Sequence, residues 1–235
     1  MNNIVIGSSS AIAKAIISQL KPTSDAIISI SSKPDHIDEG SVKTIQCDYS
    51  TASMSQAIKA ITSLNLPSID RIYICNGILQ NDDIKVEKRL EDIKADAFMS
   101  LMNSNALIPI LWLQALLPIL RNQQCTITVF SARIGSISDN HLGGWYSYRA
   151  SKAALNMLLK SAAIEYAKRA KSVKLLAFHP GTTDTPLSEP FQQNLKKDAL
   201  FTTEFVAERL ESIISNLTLD SQLSFLDWQG KEITW

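Results

Sequence analysis

Residues 2–20 read NNIVIGSSSAIAKAIISQL and place a strand, a turn and a helix in succession. The segment NNIVI is short and rich in Ile and Val, as a strand covered on both faces should be. The helical segment 11–20 follows directly after the turn GSSS. A helix that starts just after a strand presents free backbone N–H groups, which can bind the pyrophosphate of a dinucleotide. Serine is also a good helix N-cap, so a Ser-rich cap without a ligand explains the same turn.

The same alternation of short apolar runs and longer helical patterns continues to the end of the chain. It indicates βαβ units and hence an α/β fold, with a doubly wound parallel seven-stranded sheet of the Rossmann type. No Pro/Gly-rich linker divides the chain, so we expect a single domain over residues 1–235. The predicted strands are 2–6, 26–31, 42–47, 71–75, 125–131, 173–178 and 223–227, and the predicted helices are 11–20, 52–64, about 90–121, 146–169 and 203–216.

The composition argues against several classes of function. Lys+Arg and Asp+Glu both total 23, so the net charge is +0 and no basic stripe indicates a nucleic-acid partner. The most apolar segment, residues 106–120, has 15 residues and two prolines, which predicts a buried helix and no membrane span. The amino terminus lacks a signal-peptide pattern, and the three cysteines lack the spacing of disulfide frameworks or metal sites. We expect a soluble cytoplasmic protein without nucleic acid, membrane or metal.

Chemically distinctive residues lie where the predicted strands end. In such a sheet, ligands bind beyond the carboxyl ends of the strands, which are followed here by GSSSAIA, SSKPD, CDYS, CNGIL, SARIGS and HPGTTDT. The segment WYSYRASKAALNML, residues 145–158, adds Tyr148 and Lys152 on one helix face, four positions apart. Tyr146 lies roughly opposite and is expected to pack or to line the pocket. The Tyr–Lys pair is either a proton-transfer device or an ordinary surface pair.

Together these segments resemble the short-chain dehydrogenase/reductase family over nearly the whole chain. Tyr148 and Lys152 match the family's YxxxK, and residues 6–13 replace its TGxxxGxG turn, with Ala11 and Ala13 at glycine positions. The segments GGWYSYRASKAALN and FLDWQGKEITW further resemble the C-factor-type branch of cell–cell-signalling proteins. Other matches are Asp48 after the third strand, Asn76 and Gly77 after the fourth, and Pro180-Gly181 with Thr183 and Thr185 after the sixth.

The resemblance implies a nicotinamide cofactor bound along the strand ends. A carboxylate after the second strand would bind the ribose 2′-OH of NAD, whereas cationic or small polar residues tolerate the 2′-phosphate of NADP. The sequence has Ser31-Ser32-Lys33-Pro34 and no acid before Asp35, which favours NADP(H) over NAD(H), although most loop lysines are merely solvated. The expected cofactor-binding residues are Gly7, Ser9, Ser10, Ile12, Ser32, Lys33, Asp48, Tyr49, Asn76, Gly77, Tyr148, Lys152, Pro180, Gly181, Thr183 and Thr185.

Reduction of a carbonyl leaves an alkoxide that needs a proton donor of suitable pKa. Tyrosine has a pKa of about 10, and the Lys152 ammonium is expected to lower the pKa of its neighbour by favouring the phenolate. By resemblance, Lys152 also holds the nicotinamide ribose, and Asn105 completes a proton relay. Pro109 lacks the N–H that would bond the carbonyl of residue 105 in a continuing helix. A helix N-cap at Asn105 and a relay through Asn103 are the alternatives.

The chain departs from the family at a serine. The family ends its fifth strand with Ser-Ser, whose second serine orients the substrate carbonyl, but the pair here is Ser131-Ala132. Strand alternation turns Ser131 to the other face unless the strand end twists. Ser136 and Ser138 in the following loop are alternative hydroxyls, and loss of one such donor costs ~10²–10³ in turnover if nothing replaces it. The candidate catalytic residues are Tyr148, Lys152, Asn105 and Ser131.

The sequence therefore predicts an NADP(H)-dependent carbonyl reductase or alcohol dehydrogenase that acts on a small molecule. The competing hypothesis is a cofactor-binding signalling or scaffold protein with little turnover, since three alanines replace residues that the family prefers. A methyl donor or another ligand of Rossmann-type sheets is a third hypothesis, which leaves the Tyr–Lys pair without a purpose. We also expect a homodimer or homotetramer formed through the apolar segments 106–120 and 153–164, and a substrate lid at 184–202.

Overall fold

A central sheet of seven parallel strands organises the computed structural model, which describes residues 1–33, 39–194 and 199–235. Its strands are β1 (Asn2–Ile6), β2 (Ala26–Ser31), β3 (Val42–Gln46), β4 (Arg71–Ile74), β5 (Cys125–Phe130), β6 (Val173–His179) and β9 (Leu223–Asp227). Two further short strands, β7 (Thr182–Thr183) and β8 (Leu200–Phe201), pair with each other in a separate two-stranded sheet. The sheet order is β3-β2-β1-β4-β5-β6-β9. The predicted doubly wound parallel sheet is confirmed, and its strands lie where the apolar runs predict them.

Helices cover both faces of this sheet. One face carries α1 (Ala11–Leu20) and α6 (Thr203–Ser215), and the other carries α2 (Thr51–Ser63), α4 (Ile108–Leu120) and α5 (Tyr146–Arg169). Because side chains alternate along a strand, Ile4 and Ile6 pack in the core on the α4–α5 side, whereas Val5 packs under α1 and α6. Burial on both faces explains why the strands read as continuous apolar runs.

The prediction of one helix over about 90–121 is wrong at its start. Leu90–Asp92 forms a 3₁₀ turn, residues 93–94 are extended, and α3 begins only afterwards, at Ala95–Met102. The Asp92 carboxylate accepts hydrogen bonds from the backbone N–H groups of Lys88 at 3.1 Å and Arg89 at 2.9 Å. These bonds close a turn at the point where the apolar periodicity suggested a continuous helix.

The helix changes its hydrogen-bond pattern between α3 and α4. Asn103–Leu107 forms a π turn, in which the Ile108 N–H donates to the Asn103 carbonyl. Pro109 follows directly and has no N–H for a regular i→i−4 bond, so the wider turn occurs where α-helical bonding is already interrupted. The chain remains helical through Asn105, and Asn105 is therefore not the N-cap of a new helix.

The run Ala95–Leu120 is long and apolar enough to cross a membrane, with 26 residues and a mean hydropathy of 1.4. Core helices of soluble proteins have the same length and composition. In the structure, Trp112, Leu116 and Leu120 of α4 are fully buried in the core beside the sheet. This agrees with the prediction that residues 106–120 form a buried helix.

The strand order determines where a ligand fits. β2 and β3 are added on one side of β1, and the strands from β4 onward are added on its other side, so the strand order reverses between β1 and β4. Sheets of this type bind ligands at that switch point, beyond the carboxyl ends of the strands. The predicted lid, residues 184–202, contains β8 and a 3₁₀ segment, Glu189–Asn194, while its residues 195–198 lie outside the described residues. Asp35, which entered the cofactor prediction, also lies outside them.

Candidate active site and cofactor cleft

Gly7 closes the first turn at the switch point. Its φ is +76°, and an added Cβ would lie 3.1 Å from both the Asn76 backbone N and the Cys75 carbonyl carbon. A side chain at this position would therefore be strained and would collide with the end of β4. The Gly7 and Ser8 N–H groups both donate to the Ile30 carbonyl, at 2.9 and 3.0 Å. These contacts hold the turn against both neighbouring strands.

Ser8 and Ser10 of this turn have structural partners, since the Ser8 hydroxyl accepts a hydrogen bond from the Ser29 hydroxyl at 2.8 Å. Ser10 is the N-cap of α1, and its hydroxyl accepts a hydrogen bond from the Ala13 N–H at 3.2 Å. Ser9 and Ile12 are half-buried beside it, and Ala13 is fully buried in the core. The capping explanation of Ser10 therefore holds in the structure, while the cofactor roles of Ser9, Ser10 and Ile12 stay predictions.

The residues predicted for the adenosine end of the cofactor lie after β2 and β3. Asp48 is exposed, and hydrogen bonding from Ser50 lowers the pKa of its carboxyl. Tyr49 has a φ of +66° and lies beside Asn76 and Ser32, with its ring edge-on to the Trp112 ring. Ser32 and Lys33 are both exposed beyond β2.

Three buried polar atoms at the strand ends have no hydrogen-bond partner within the described residues. They are Oδ1 of Asn76, after β4, Nδ1 of His179, the last residue of β6, and Oγ1 of Thr183, after β6. Buried polar groups are rarely left unpaired, and Asn76 and Thr183 belong to the residues predicted to contact the cofactor. The open glycine turn and these unpaired atoms fit a polar ligand that lies across the strand ends.

Pro180 and Gly181 turn the chain away from β6. Gly181 has a φ of +75°, and an added Cβ would lie 2.6 Å from Cε2 of Phe201 and 3.0 Å from Cδ1 of Trp228. Thr185 Oγ1 donates to the Thr183 carbonyl at 3.3 Å, which keeps the two threonines in one turn. Glycine is thus required both by its conformation and by the aromatic side chains packed on it.

Tyr148 and Lys152 come together in a buried site, as their spacing predicts. The Lys152 Nζ lies 5.9 Å from the centroid of the Tyr148 ring and donates to the Phe130 carbonyl at 2.9 Å. Tyr148 is 9% exposed and Lys152 is 4% exposed. The pair is therefore not an ordinary surface Tyr–Lys pair, because both groups are withdrawn from water against the end of β5.

The structure reverses the expected shift in the tyrosine pKa. Burial raises the pKa of Tyr148, and burial also lowers the pKa of Lys152 to about 8. The sequence suggested that a nearby ammonium would favour the phenolate, but desolvation disfavours the charged form of both groups. In the protein by itself, Tyr148 is consequently a protonated phenol at neutral pH.

Burial of Lys152 makes stability depend on pH. The pKa of Lys152 is about 8 in the folded chain and 10.5 for an ordinary lysine. The buried ammonium therefore destabilises the fold fully below pH 8. This destabilisation is lost as the pH rises from the folded-state pKa to the unfolded-state pKa. Lys152→Met removes the titration. We expect the stability of the wild type relative to Lys152→Met to rise by about 2–3 kcal/mol between pH 7 and pH 10. Urea unfolding of both proteins at the two pH values measures this, and a constant difference would contradict it.

Asn105 connects three parts of the site. Its side chain accepts from the Ile78 N–H at 2.7 Å and donates to the Ile78 carbonyl at 2.9 Å and to the Ser151 hydroxyl at 2.9 Å. An added Cβ on Gly77 would lie 3.3 Å from Asn105 Oδ1 and 3.5 Å from Lys152 Nζ. Asn105 is fully buried, whereas the competing Asn103 is exposed.

None of the candidate serine hydroxyls has a hydrogen bond to Tyr148 or Lys152 among the described contacts. Ser131 donates to Asn156 Oδ1 on α5 at 2.6 Å. Ser136 accepts from the Asp139 N–H at 3.2 Å, and Ser138 donates to the Trp235 carbonyl at 2.7 Å. The catalytic role of Ser131 therefore stays a prediction, and its hydroxyl is engaged with the helix that carries Tyr148.

An apolar cluster surrounds Tyr148. Ala132 packs in this cluster with Leu79, Ile134 and Trp145, so the methyl group of Ala132 lies on the Tyr148 side of the strand end. The Trp145 ring is edge-on to Tyr148 at 6.2 Å between centroids and contacts Phe191 at 4.7 Å. Phe191 belongs to the predicted lid, and its contact with Trp145 brings the lid to the site.

Sequence reasoning missed two buried residues of this site. Ser151 accepts from Asn105 and donates to the Tyr148 carbonyl at 2.8 Å. Glu87 is 3% exposed and bonds to Ser147, the residue before Tyr148. Ser151 directly precedes Lys152, and this position could have indicated that it belongs to the site. Nothing in the sequence around Glu87 indicates that it is buried.

Comparisons with known proteins agree with this geometry. A family model for short chain dehydrogenases matches residues 2–196. The chain is 35% identical over 116 residues to 1-hydroxy-2-glutathionyl-2-methyl-3-butene dehydrogenase of Rhodococcus sp. (strain AD45), covering 49% of each protein. It is 32% identical over 105 residues to C-signal of Myxococcus xanthus, covering 45% of this chain and 58% of that protein. The matches thus span about half the length of these curated relatives.

Solved structures share the fold over the full length. The NADPH-bound carbonyl reductase from chicken fatty liver has a TM-score of 0.85 at 22% identity, covering 100% of this chain and 98% of that one. The carbonyl reductase Sniffer of D. melanogaster has a TM-score of 0.85 at 17% identity, covering 100% and 99%. Because the family model spans the chain from β1 through β7, including Tyr148 and Lys152, this chain belongs to the short-chain dehydrogenase/reductase family.

Proposed function

We propose that this protein reduces a small carbonyl compound with NADPH, using Tyr148 as the proton donor. The observation that carries the proposal is the meeting of Tyr148, Lys152 and Asn105 in one buried site beside Gly77. Tyr148 and Lys152 come from α5 and Asn105 comes from the π turn, and all three lie next to the end of β4. Sheets of this type bind ligands at such strand ends.

When bound, the reduced nicotinamide supplies the hydride to the substrate carbonyl. Tyr148 Oη donates a hydrogen bond to the substrate oxygen and transfers its proton as negative charge develops there. The raised pKa of Tyr148 keeps this proton in place until charge develops on the substrate oxygen. Lys152 Nζ, with a pKa of about 8, exchanges protons near neutral pH and suits the resupply of the phenolate. Asn105 fixes the loop after β4 against α5.

The substrate oxygen would meet one side-chain donor instead of the family's two. Ala132 occupies the strand-end position, and the hydroxyls of Ser131, Ser136 and Ser138 have other partners. We therefore propose slow turnover, since a missing donor of this kind costs ~10²–10³. Ser131 remains the catalytic candidate among the serines, and its substitution is part of the test described in the Discussion.

Preference for NADP(H) over NAD(H) is supported by the end of β2. Ser32 and Lys33 are exposed there and present a hydroxyl and an ammonium, but no carboxylate, within the described residues up to position 33. An ammonium attracts a 2′-phosphate, whereas a carboxylate would repel it. The chicken carbonyl reductase, which shares the fold, carries NADPH.

The proposal is tested by measuring cofactor binding and turnover separately. Fluorescence titration should give tighter binding for NADPH than for NADH, and NADPH oxidation should be detected with at least some members of a carbonyl panel. Equal affinities would contradict the cofactor preference alone. Absence of any nicotinamide binding would contradict the function as a whole.

A second candidate function is a cofactor-binding signalling or scaffold protein with little turnover. It is favoured by one observation, the loss of the strand-end hydroxyl at Ala132, together with the resemblance to C-signal. Tight NADPH binding without turnover of any carbonyl in the panel would favour this candidate. Measurable turnover that depends on Tyr148 would favour the reductase.

We further propose that the chain pairs through α4 and α5. Ile110, Leu111 and Leu158 line a groove between these helices, and Met157 and Ile164 of α5 are 67% and 54% exposed. Sedimentation at micromolar concentration should show a dimer or tetramer, and Leu158→Glu should give a monomer because it places a charge in the apolar contact. Leu219→Glu, at an exposed leucine outside this groove, is the matched control. A wild type that sediments only as a monomer would refute the pairing.

A further inference from the structure

Glu87 is a buried acid that contacts the start of α5. It lies in the connection between β4 and α3 and is 3% exposed. Its two carboxylate oxygens accept hydrogen bonds from the Ser147 hydroxyl and from the Ser147 N–H, the latter at 3.4 Å. Its backbone carbonyl accepts from the Trp145 N–H at 2.7 Å. Glu87 thus contacts both residues that flank Tyr146, and one of them, Ser147, directly precedes Tyr148.

The start of α5 needs such support. Gly143, Gly144 and Trp145 all have positive φ, of 65°, 64° and 52°. The left-handed conformation is strained for a bulky residue such as Trp145, and it persists only where the surroundings enforce it. Trp145 is the N-cap of α5, yet its side chain caps nothing, and the first turn of the helix contains no acidic residue. The usual local devices that stabilise a helix start are missing here.

The Glu87 carboxylate supplies what this helix start lacks. The first N–H groups of a helix have no intrahelical partner and carry partial positive charge, which a carboxylate stabilises. Tyr148 is the third residue of α5, within the turn that frays most readily. Lys152 lies a full turn later and is held independently by the Phe130 carbonyl. Loss of the Glu87 contacts would therefore disturb Tyr148 and leave Lys152 in place.

We propose that Glu87 is a positioning residue for Tyr148, acting through Ser147 and Trp145. The inference rests on the proposed function, since it assumes that the location of the Tyr148 hydroxyl matters for proton transfer. Glu87 touches neither the Tyr148 phenol nor Lys152 in the described contacts, so its effect is transmitted by the first turn of the helix. A displacement of about 1 Å in a reacting group can lower turnover by ~10²-fold.

The test compares three substitutions by steady-state kinetics. Glu87→Ala should lower kcat by about 10²-fold with NADPH affinity unchanged, because only the proton donor is displaced. Glu87→Gln keeps one oxygen that accepts from the Ser147 hydroxyl and should retain much of the wild-type kcat. Glu91→Ala removes an exposed acid from the same connection and is the matched control. A folded Glu87→Ala variant with wild-type kcat would overturn the proposal, as would an equal loss in all three variants.

Ser147→Ala provides a second route if Glu87→Ala does not fold. It removes the hydroxyl that donates to Glu87 and should lower kcat in the same direction as loss of Glu87, with the NADPH affinity little changed. A folded Ser147→Ala variant with wild-type kcat would contradict the proposed linkage.

Hydrogen exchange supplies a measurement that needs no turnover. In Glu87→Ala, or in Ser147→Ala if the Glu87 variant does not fold, the amides of residues 147–149 should exchange faster, while those of residues 155–166 remain protected. Unchanged exchange in the first turn would refute the positioning role even in an active enzyme. If the wild type turns over no carbonyl, the proposed function fails, whereas this measurement still decides whether Glu87 orders the start of α5.

Discussion

Tyr148→Phe is expected to lower kcat by about 10²–10⁴-fold, the usual contribution of a general acid. The substitution removes a single oxygen and leaves the ring against Trp145, so the packing of the site is retained. Burial raises the pKa of Tyr148, and the wild-type phenol is therefore fully protonated at neutral pH. Steady-state NADPH oxidation with a carbonyl identified from the panel measures the loss, and fluorescence titration should show that the NADPH affinity falls far less than kcat, because Tyr148 is only one of the expected cofactor contacts.

Tyr146→Phe is the matched control for this substitution. Tyr146 is half-buried two residues earlier on the same helix, and two residues correspond to roughly half a turn, so its hydroxyl points away from Lys152. We expect kcat to stay near the wild-type value. Wild-type turnover in Tyr148→Phe, or an equal loss in both variants, would refute Tyr148 as the proton donor.

Ala132→Ser is expected to raise kcat by at least about tenfold, because removal of one preorganised donor costs ~10²–10³ in comparable sites and the serine would restore part of this. The Ala132 methyl lies in the apolar cluster with Tyr148, so a hydroxyl on the same carbon would point into the site. KM should change less than kcat, since the added hydrogen bond strengthens as charge develops on the substrate oxygen.

Two further variants decide how the result is interpreted. Ala97→Ser makes the same chemical change on α3, within the same cluster but away from the strand end, and should leave kcat unchanged. Ser131→Ala tests the alternative, in which Ser131 breaks its bond to Asn156 and serves the substrate. A large loss in Ser131→Ala together with no gain in Ala132→Ser would show that Ser131 is the second donor.

The strands were predictable because burial on both faces leaves a local signature. Each of the seven runs is short and has several apolar residues, six of them contain Ile or Val, and each became a strand of the sheet. The Tyr148–Lys152 pairing was equally predictable, because i and i+4 residues share a helix face whatever surrounds the helix. Gly7 and Gly181 could also be recognised, since their turns need a positive φ that glycine adopts freely.

What could not be predicted depends on contacts between distant parts of the chain. The break before α3 depends on the Asp92 carboxylate folding back on two backbone N–H groups, a choice that apolar periodicity does not reveal. Burial of Glu87 depends on a bond to Ser147, 60 residues later. The direction of the Tyr148 pKa shift was predicted wrongly because the sequence displays the neighbouring charge but gives no measure of the loss of water.

The number of residues in the π turn at Asn103–Leu107 affects which side chains face the site. A π turn holds one residue more than an α-helical turn, and each residue of an α-helix advances by about 100° around the axis. The extra residue therefore sets the rotation of α4 relative to α3, so that Asn105 faces Ile78 and Ser151 while Trp112 faces the core. Which side chain faces the loop after β4 is consequently governed by the length of this turn, and deletion of one residue within it would rotate a different side chain toward that loop.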